Sequence, residues 1–242
     1  MKNSRTPRHH PLRTSQAIGL LAMLLLAFVP QLLPAQEPGT DIPTDTGSDV
    51  GDEAAERRAA DTIPIVTHIV TIETTLGSIL LELYGKDAPR TVENFIGLCE
   101  EGFYDSLLIH RVHPGFLIQS GCPKTRDSTL YEEWGTGGIS IYGGEFADEI
   151  DMRTPSARRG YIRGTLAMGN SGPNTNTSQF FILLSDLSEW MPQVYTIFGR
   201  ASDMTTVDSI ATANLLITEE SADYGSRPDP PIRILSTAVT VE

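Results

Sequence analysis

From residue 65 to residue 241 the chain keeps returning to short runs of β-branched and aromatic residues, each cut off by Gly, Pro or Asn. Runs of that length and spacing make strands, and they leave no room for a helical bundle. IVTHIVTIETTLGSILLELY (65–84) alternates β-branched and polar residues on either side of Thr75-Leu76-Gly77, which predicts a β-hairpin. LIHRV, FLIQSG, GTLAMG, SQFFILL, TIFGRA and IRILSTAVTV read as further strands. Two stretches interrupt them at helical spacing. In APRTVENFIGLCEE (88–101), Val92, Phe95, Ile96 and Cys99 share a face, with Gly102 as the stop. MTTVDSIATANL, within 201–216, is the second. Many short strands with two separated helices predict a mainly β fold, an antiparallel barrel with capping helices.

The amino-terminal quarter is different in kind. Residues 1–35 hold four basic residues and no acidic one, and AIGLLAMLLLAFV (17–29) is an apolar run of 13. A basic segment followed by about 7–15 apolar residues is the pattern of a secretory signal. Cleavage is expected after Ala35, and an uncleaved membrane anchor is the alternative. Residues 36–62 are rich in Asp, Gly, Pro and Thr, and too poor in large apolar residues to offset the entropy of ordering. They read as a flexible acidic linker ahead of a folded domain at 63–242. Export would place that domain in the periplasm or at the cell exterior. The whole chain carries 18 basic and 31 acidic residues, a net charge of −13. So negative a surface repels phosphate backbones, which argues against nucleic acid as a partner. Two cysteines, Cys99 and Cys122, exclude a disulfide-dense scaffold; export leaves one disulfide open, while Cys99 on an apolar helical face also reads as a small buried residue.

Three segments stand out: IHRVHPGFLIQSG (109–121), GTLAMGNSGPNTNTSQFFILL (164–184) and EWMPQVYTIFG (189–199). Together with FADE at 146–149, and in this order, they resemble the cyclophilin family of peptidyl-prolyl cis–trans isomerases, and with the amino-terminal pattern an exported, bacterial-like member is expected. The resemblance runs from about Ile65 to Glu242. It implies a closed eight-stranded antiparallel β-barrel capped by two α-helices, an isomerase activity on proline-containing polypeptides, no cofactor and no metal. It also implies the family's cyclic peptide inhibitor as a further ligand, and a monomer is the expected state.

Carried over position by position, the resemblance makes Arg111 the catalytic arginine. Phe116, Leu117 and Phe181 would line the socket for the substrate proline, Leu117 standing where the family usually has Met. Gln119 and Gln179 would be polar walls. Asn170 would hold the peptide backbone beside Gly169, where Ala is common. Trp190 and Met191 would form the rim, Met191 replacing a usual Leu. Tyr195 takes a place where many members have His, and Thr177 one usually held by Gly. These exchanges alter the rim that the inhibitor would meet.

The same residues make physical sense without the family. Rotation about a peptide bond meets a barrier of about 18–20 kcal/mol, because resonance gives the C–N bond double character. No bond has to break. A catalyst needs only to bind the twisted amide better than either planar form. In the twisted state the proline nitrogen regains its lone pair, and a guanidinium placed beside it favours that state. Strand alternation sets Leu117 with Gln119 on one face, and Gln179 with Phe181 likewise, leaving Phe180 for the core.

Other readings stand beside these. Asn170 and Asn174 in NSGPNTN also suit plain turn residues. Trp190 suits a core indole as well as a rim. His110 and His113 fall on opposite faces, and a buried structural role fits His110 better than metal binding. Glu145, Asp148 and Glu149 suit a solvated loop or a helix cap better than a carboxylate pair for hydrolysis. The loop at 122–159, with Trp134 and several tyrosines, is expected to border the substrate groove. A non-catalytic proline-peptide binding module and a holdase chaperone are the rival functions.

Overall fold

The computed structural model describes residues 63–217 and 225–241. The expected signal segment and acidic linker lie outside the described residues. Eight strands form one antiparallel sheet: β1 (His68–Thr74), β2 (Gly77–Leu83), β3 (Arg111–His113), β4 (Leu117–Ser120), β5 (Thr165–Met168), β6 (Phe180–Leu183), β7 (Ile197–Ala201) and β10 (Ile234–Val241). Their spatial order is β10-β1-β2-β7-β5-β6-β4-β3. Strands β8 (Leu215–Leu216) and β9 (Arg227–Pro228) form a separate pair. The predicted hairpin is β1 and β2, closed at Thr74 opposite Gly77.

The sheet is open, where a closed barrel was expected. Its edge strands, β3 and β10, share no ladder. Only the segments leading into them meet, through the bridge Leu108–Arg233 and backbone bonds such as Ile109 N–H to Ile232 O (3.0 Å). The reason lies at β3. Its outer edge is taken by Ser226, which exchanges both backbone hydrogen bonds with Val112 (2.7 and 2.8 Å). A three-residue strand with that edge occupied has nothing left to pair with β10.

Helix α1 (Pro89–Glu100) starts with proline at its first position, where the missing N–H costs nothing. Past Glu101, Gly102 adopts φ +66°. Phe103 N–H then reaches Leu98 O and Gly102 N–H reaches Cys99 O, a Schellman ending that satisfies the orphan carbonyls. The second expected helix is α3 (Thr205–Ala211). A short helix not foreseen in the loop, α2 (Pro155–Arg159), makes three in all among the described residues.

The core lies on the inner face of the sheet under α1 and α3. Ile72, Leu81, Leu166, Phe180, Ile182 and Phe198 face Val92, Phe95, Leu98, Val207 and Ile210. Phe95 sits at its centre, with ring centroids 5.1–5.4 Å from Tyr104, Phe180 and Phe198. Strands β5 and β6 are buried on both faces, so their outward residues serve a second, smaller cluster.

Candidate active site

Register alone places the site. Arg111 on β3 is opposite Gln119 on β4, Gln119 is opposite Phe181 on β6, Phe181 is opposite Ala167 on β5, and Ala167 is opposite Ile197 on β7. Directly opposed residues point to the same face, so these five form one row across the outer face of the sheet. Strands lie about 4.8 Å apart, which sets Arg111 and Phe181 about 10 Å from each other along the row. The row is polar at one end and apolar at the other.

The apolar end is the second cluster. Leu117, Tyr161, Phe181, Met191 and Ile197 are buried in it, with Phe116 and Tyr195 packed alongside. Phe181 and Tyr195 meet edge to face, 5.4 Å between centroids at 90°. Tyr161, which the sequence reading missed, is fully buried, and its hydroxyl fixes the Tyr195 backbone. It donates to Tyr195 O and accepts from Tyr195 N–H, both at 2.9 Å.

At the polar end Arg111 donates from one guanidinium nitrogen to Gln119 Oε1 (3.1 Å). Gln119 donates to Gln179 Oε1 (2.9 Å), and Gln179 donates to the carbonyls of Gly135 (2.9 Å) and Gly137 (2.8 Å). This relay runs from the arginine into the 122–159 loop, so the loop does border the site. The Arg111 guanidinium carbon lies 6.0 Å from the Phe116 ring centre. Burial draws the Arg111 pKa below its ordinary value, and nearby Tyr195 pulls it the other way. Burial likewise raises the Tyr195 phenol, against the pull of Arg111. An arginine remains charged throughout.

His110 is buried, as expected, with its ring beside Gly135. Neither ring nitrogen has a hydrogen-bond partner. Burial, helped by the positive charge of Arg111, pulls its pKa down to about 4.

The remaining candidates scatter more. A Cβ on Gly169 would stand 3.3 Å from Gln119 Nε2, so position 169 adjoins the relay. Asn170 is engaged inside its own loop. Its amide donates to Asp148 Oδ1 (3.3 Å) and Asn176 Oδ1 (3.4 Å), and its oxygen accepts from Gly172 N–H. That is the turn role. Met191 is in the socket, while Trp190 beside it is 68% exposed, which excludes the core indole. Thr177 packs against Gly138, where a Cβ would collide with its hydroxyl, so this threonine requires a glycine across from it.

The FADE carboxylates organise the scaffold. Glu149 accepts from Arg90 N–H (3.1 Å) and Thr91 N–H (2.8 Å), capping α1. Asp148 accepts from Asn174 N–H and the Asn176 amide, both at 2.7 Å, holding NSGPNTN in shape. Asn94, fully buried on α1, donates to Thr177 O and accepts from Ile141 N–H. A polar residue inside the apolar stripe of a helix was the signal for that tie. Cys99 and Cys122 are buried free thiols, and burial pushes Cys99 up to about 12.

Residues 69–239 match the family described as cyclophilin type peptidyl-prolyl cis-trans isomerase. The chain belongs to that family. It is 42% identical over 168 residues to the peptidyl-prolyl cis-trans isomerase ppi1 of Schizosaccharomyces pombe, covering 69% of this chain and 95% of that one. A peptidyl-prolyl cis-trans isomerase of Arabidopsis thaliana is 45% identical over 173 residues, 70% of this chain; the match spans only 31% of that longer relative. Among solved structures, the Cryptosporidium parvum cyclophilin type isomerase is 31% identical with a TM-score of 0.61, over 74% of this chain and 99% of that one. The same protein solved in the presence of the dipeptide Ala-Pro matches with a TM-score of 0.60. These relatives are eukaryotic and give no support to the bacterial-like type expected from the sequence.

Proposed function

We propose that this cyclophilin accelerates cis–trans rotation of Xaa-Pro bonds in polypeptides, with Arg111 as the catalytic residue. The observation that carries the reading is the row in which a guanidinium and an aromatic socket share one face of the sheet. The proline ring would enter the socket of Phe116, Leu117, Phe181 and Met191, held by burial of its apolar surface at about 25 cal/mol per Å². Gln119 and Gln179 would face the flanking backbone, with Asn170, Trp190 and Tyr195 bounding the groove. With the ring held and the backbone fixed, rotation is confined to one bond. As the amide twists, its nitrogen becomes a better acceptor, and Arg111 donates to it. Each ~1.4 kcal/mol by which that bond is stronger in the twisted state gives about tenfold in rate.

Proline-containing substrates are supported by the Cryptosporidium relative, whose structure was solved in the presence of Ala-Pro. For location, the basic start and the apolar run at 17–29 support export, with newly exported chains as clients in the periplasm or its equivalent. The test is a protease-coupled assay on a proline tetrapeptide. Uncatalysed isomerisation takes about 10–100 s. A rate that rises linearly with micromolar protein supports the proposal. A rate equal to the blank, with the peptide still bound, makes the protein a binding module instead.

A further inference from the structure

The outer face of the sheet holds a second row, two residues along from the first. Glu82 on β2 is opposite Arg200 on β7, and Arg200 is opposite Thr165 on β5. Where this row meets α2 there is a cavity of about 60 Å³, lined by Tyr84, Arg159, Arg163, Thr165 and Arg200. On that measure one water takes about 10–15 Å³, so the space suits a few waters or one small ion. Ile197 is a common wall between this cavity and the aromatic socket.

Three guanidiniums around one small cavity repel each other unless anions offset them. Two are offset by protein: Arg163 by Asp208 (2.6 Å) and Arg200 by Glu82 (2.5 Å). Arg163 also spends a second nitrogen on Leu184 O (2.7 Å). Arg200 uses only Nε on its carboxylate, which leaves its two terminal nitrogens for a ligand. The Arg159 guanidinium has no hydrogen bond or ion pair among the described residues. Tyr84 makes the second observation. Its side chain is buried overall and lines the cavity, and its hydroxyl, reachable from the cavity, makes no hydrogen bond among the described residues, so it is free to donate to a ligand there. Burial pushes this phenol up to about 12, with Arg200 and Arg159 pulling the other way, so it stands ready as a donor at neutral pH. The third nearby carboxylate, Asp87, is occupied in accepting from Ser156 N–H at the start of α2 (2.8 Å).

We propose that this cavity is an oxyanion site, taking a tetrahedral group such as phosphate or sulfate through Arg159, Arg200 and the Tyr84 hydroxyl. One such ion would pair the unmatched guanidinium and the unmatched phenol together. The site opens on the outer face, so the group could be a free ion or a phosphorylated side chain of a bound polypeptide.

The test is isothermal titration of the full chain with sodium phosphate and sodium sulfate, against chloride at matched ionic strength. One saturable site is expected. Arg159→Ala weakens it by about tenfold, the loss of one charge-assisted contact, and Tyr84→Phe by about threefold. Arg159→Gln serves as a second variant of closer shape. Proline isomerisation by the Arg159 variants stays at the wild-type level, which separates this site from the socket. A phosphoserine tripeptide and its unphosphorylated form divide the two sources. If the phosphopeptide binds more tightly than inorganic phosphate and loses that advantage in Arg159→Ala, the natural ligand is a phosphorylated chain; if the two bind equally, it is the free ion. No saturable binding beyond the chloride control, or equal affinity in wild type and both Arg159 variants, overturns the proposal.

Discussion

Phe180 and Phe181 are neighbours in one strand, each 3% exposed, yet they belong to different parts of the molecule. Phe180 packs against Phe95 and Tyr104 in the large inner core. Phe181 faces outward into the small cluster with Leu117, Met191 and Tyr195. One strand thus faces the large core on one side and the candidate site on the other. Burial alone does not tell the two apart; the face does.

The largest expected effect is on the inner side. Phe180→Ala should cost about 3–5 kcal/mol, because it opens a cavity among packed aromatic rings. Chemical denaturation measures it, and a loss under about 2 kcal/mol would mean the two faces share the load. Next comes His110. Its folded pKa of about 4 lies below the ordinary 6.5, so the folded protein holds fewer protons between those values. The stability it contributes is present above pH 6.5 and is lost as pH falls towards 4, by about 3 kcal/mol. Denaturation midpoints across that window should fall steeply in wild type and more gently in His110→Leu. Equal slopes would remove His110 as the cause.

Phe181→Ala should cost less stability, about 2 kcal/mol from lost burial, while isomerase activity falls further than in any inner-face variant that still folds. The contrast between positions 180 and 181 is what matters; equal activity in the two variants would erase it. Gln179→Ala should be the smallest, about 1 kcal/mol, since it strands the carbonyls of Gly135 and Gly137. Hydrogen exchange across 135–139 should quicken, and unchanged protection there would show that the loop is held by other contacts.

Much of this division was legible in the residues. Alternation in SQFFILL separates Phe180 from Phe181, and the spacing of Val92, Phe95 and Cys99 predicts the buried face of α1. The carboxylates of FADE read as cap and loop residues, and Glu149 is a cap. Closure of the sheet was not legible, because it turns on whether Ser226, more than a hundred residues on, takes the edge of β3. Nor were the contacts of the 122–159 loop, where Gly135 and Gly137 hold Gln179 through backbone carbonyls that carry no side-chain signature. Tyr161 falls in the same class. Its role depends on where the Tyr195 backbone passes, and no periodicity encodes that. The row from Arg111 to Ile197 needs only strand register, which is why the candidate residues on strands come together while those on loops do not: Asn170 bonds within its own loop and Trp190 stands exposed.

The most direct measurement compares wild type with Arg111→Ala for both isomerisation and proline-peptide affinity. A donor that acts on the twisted nitrogen predicts about a hundredfold loss of kcat/KM, with peptide affinity and thermal midpoint nearly unchanged. Isomerisation retained within a few-fold would contradict it, and so would a loss of rate fully matched by a loss of binding.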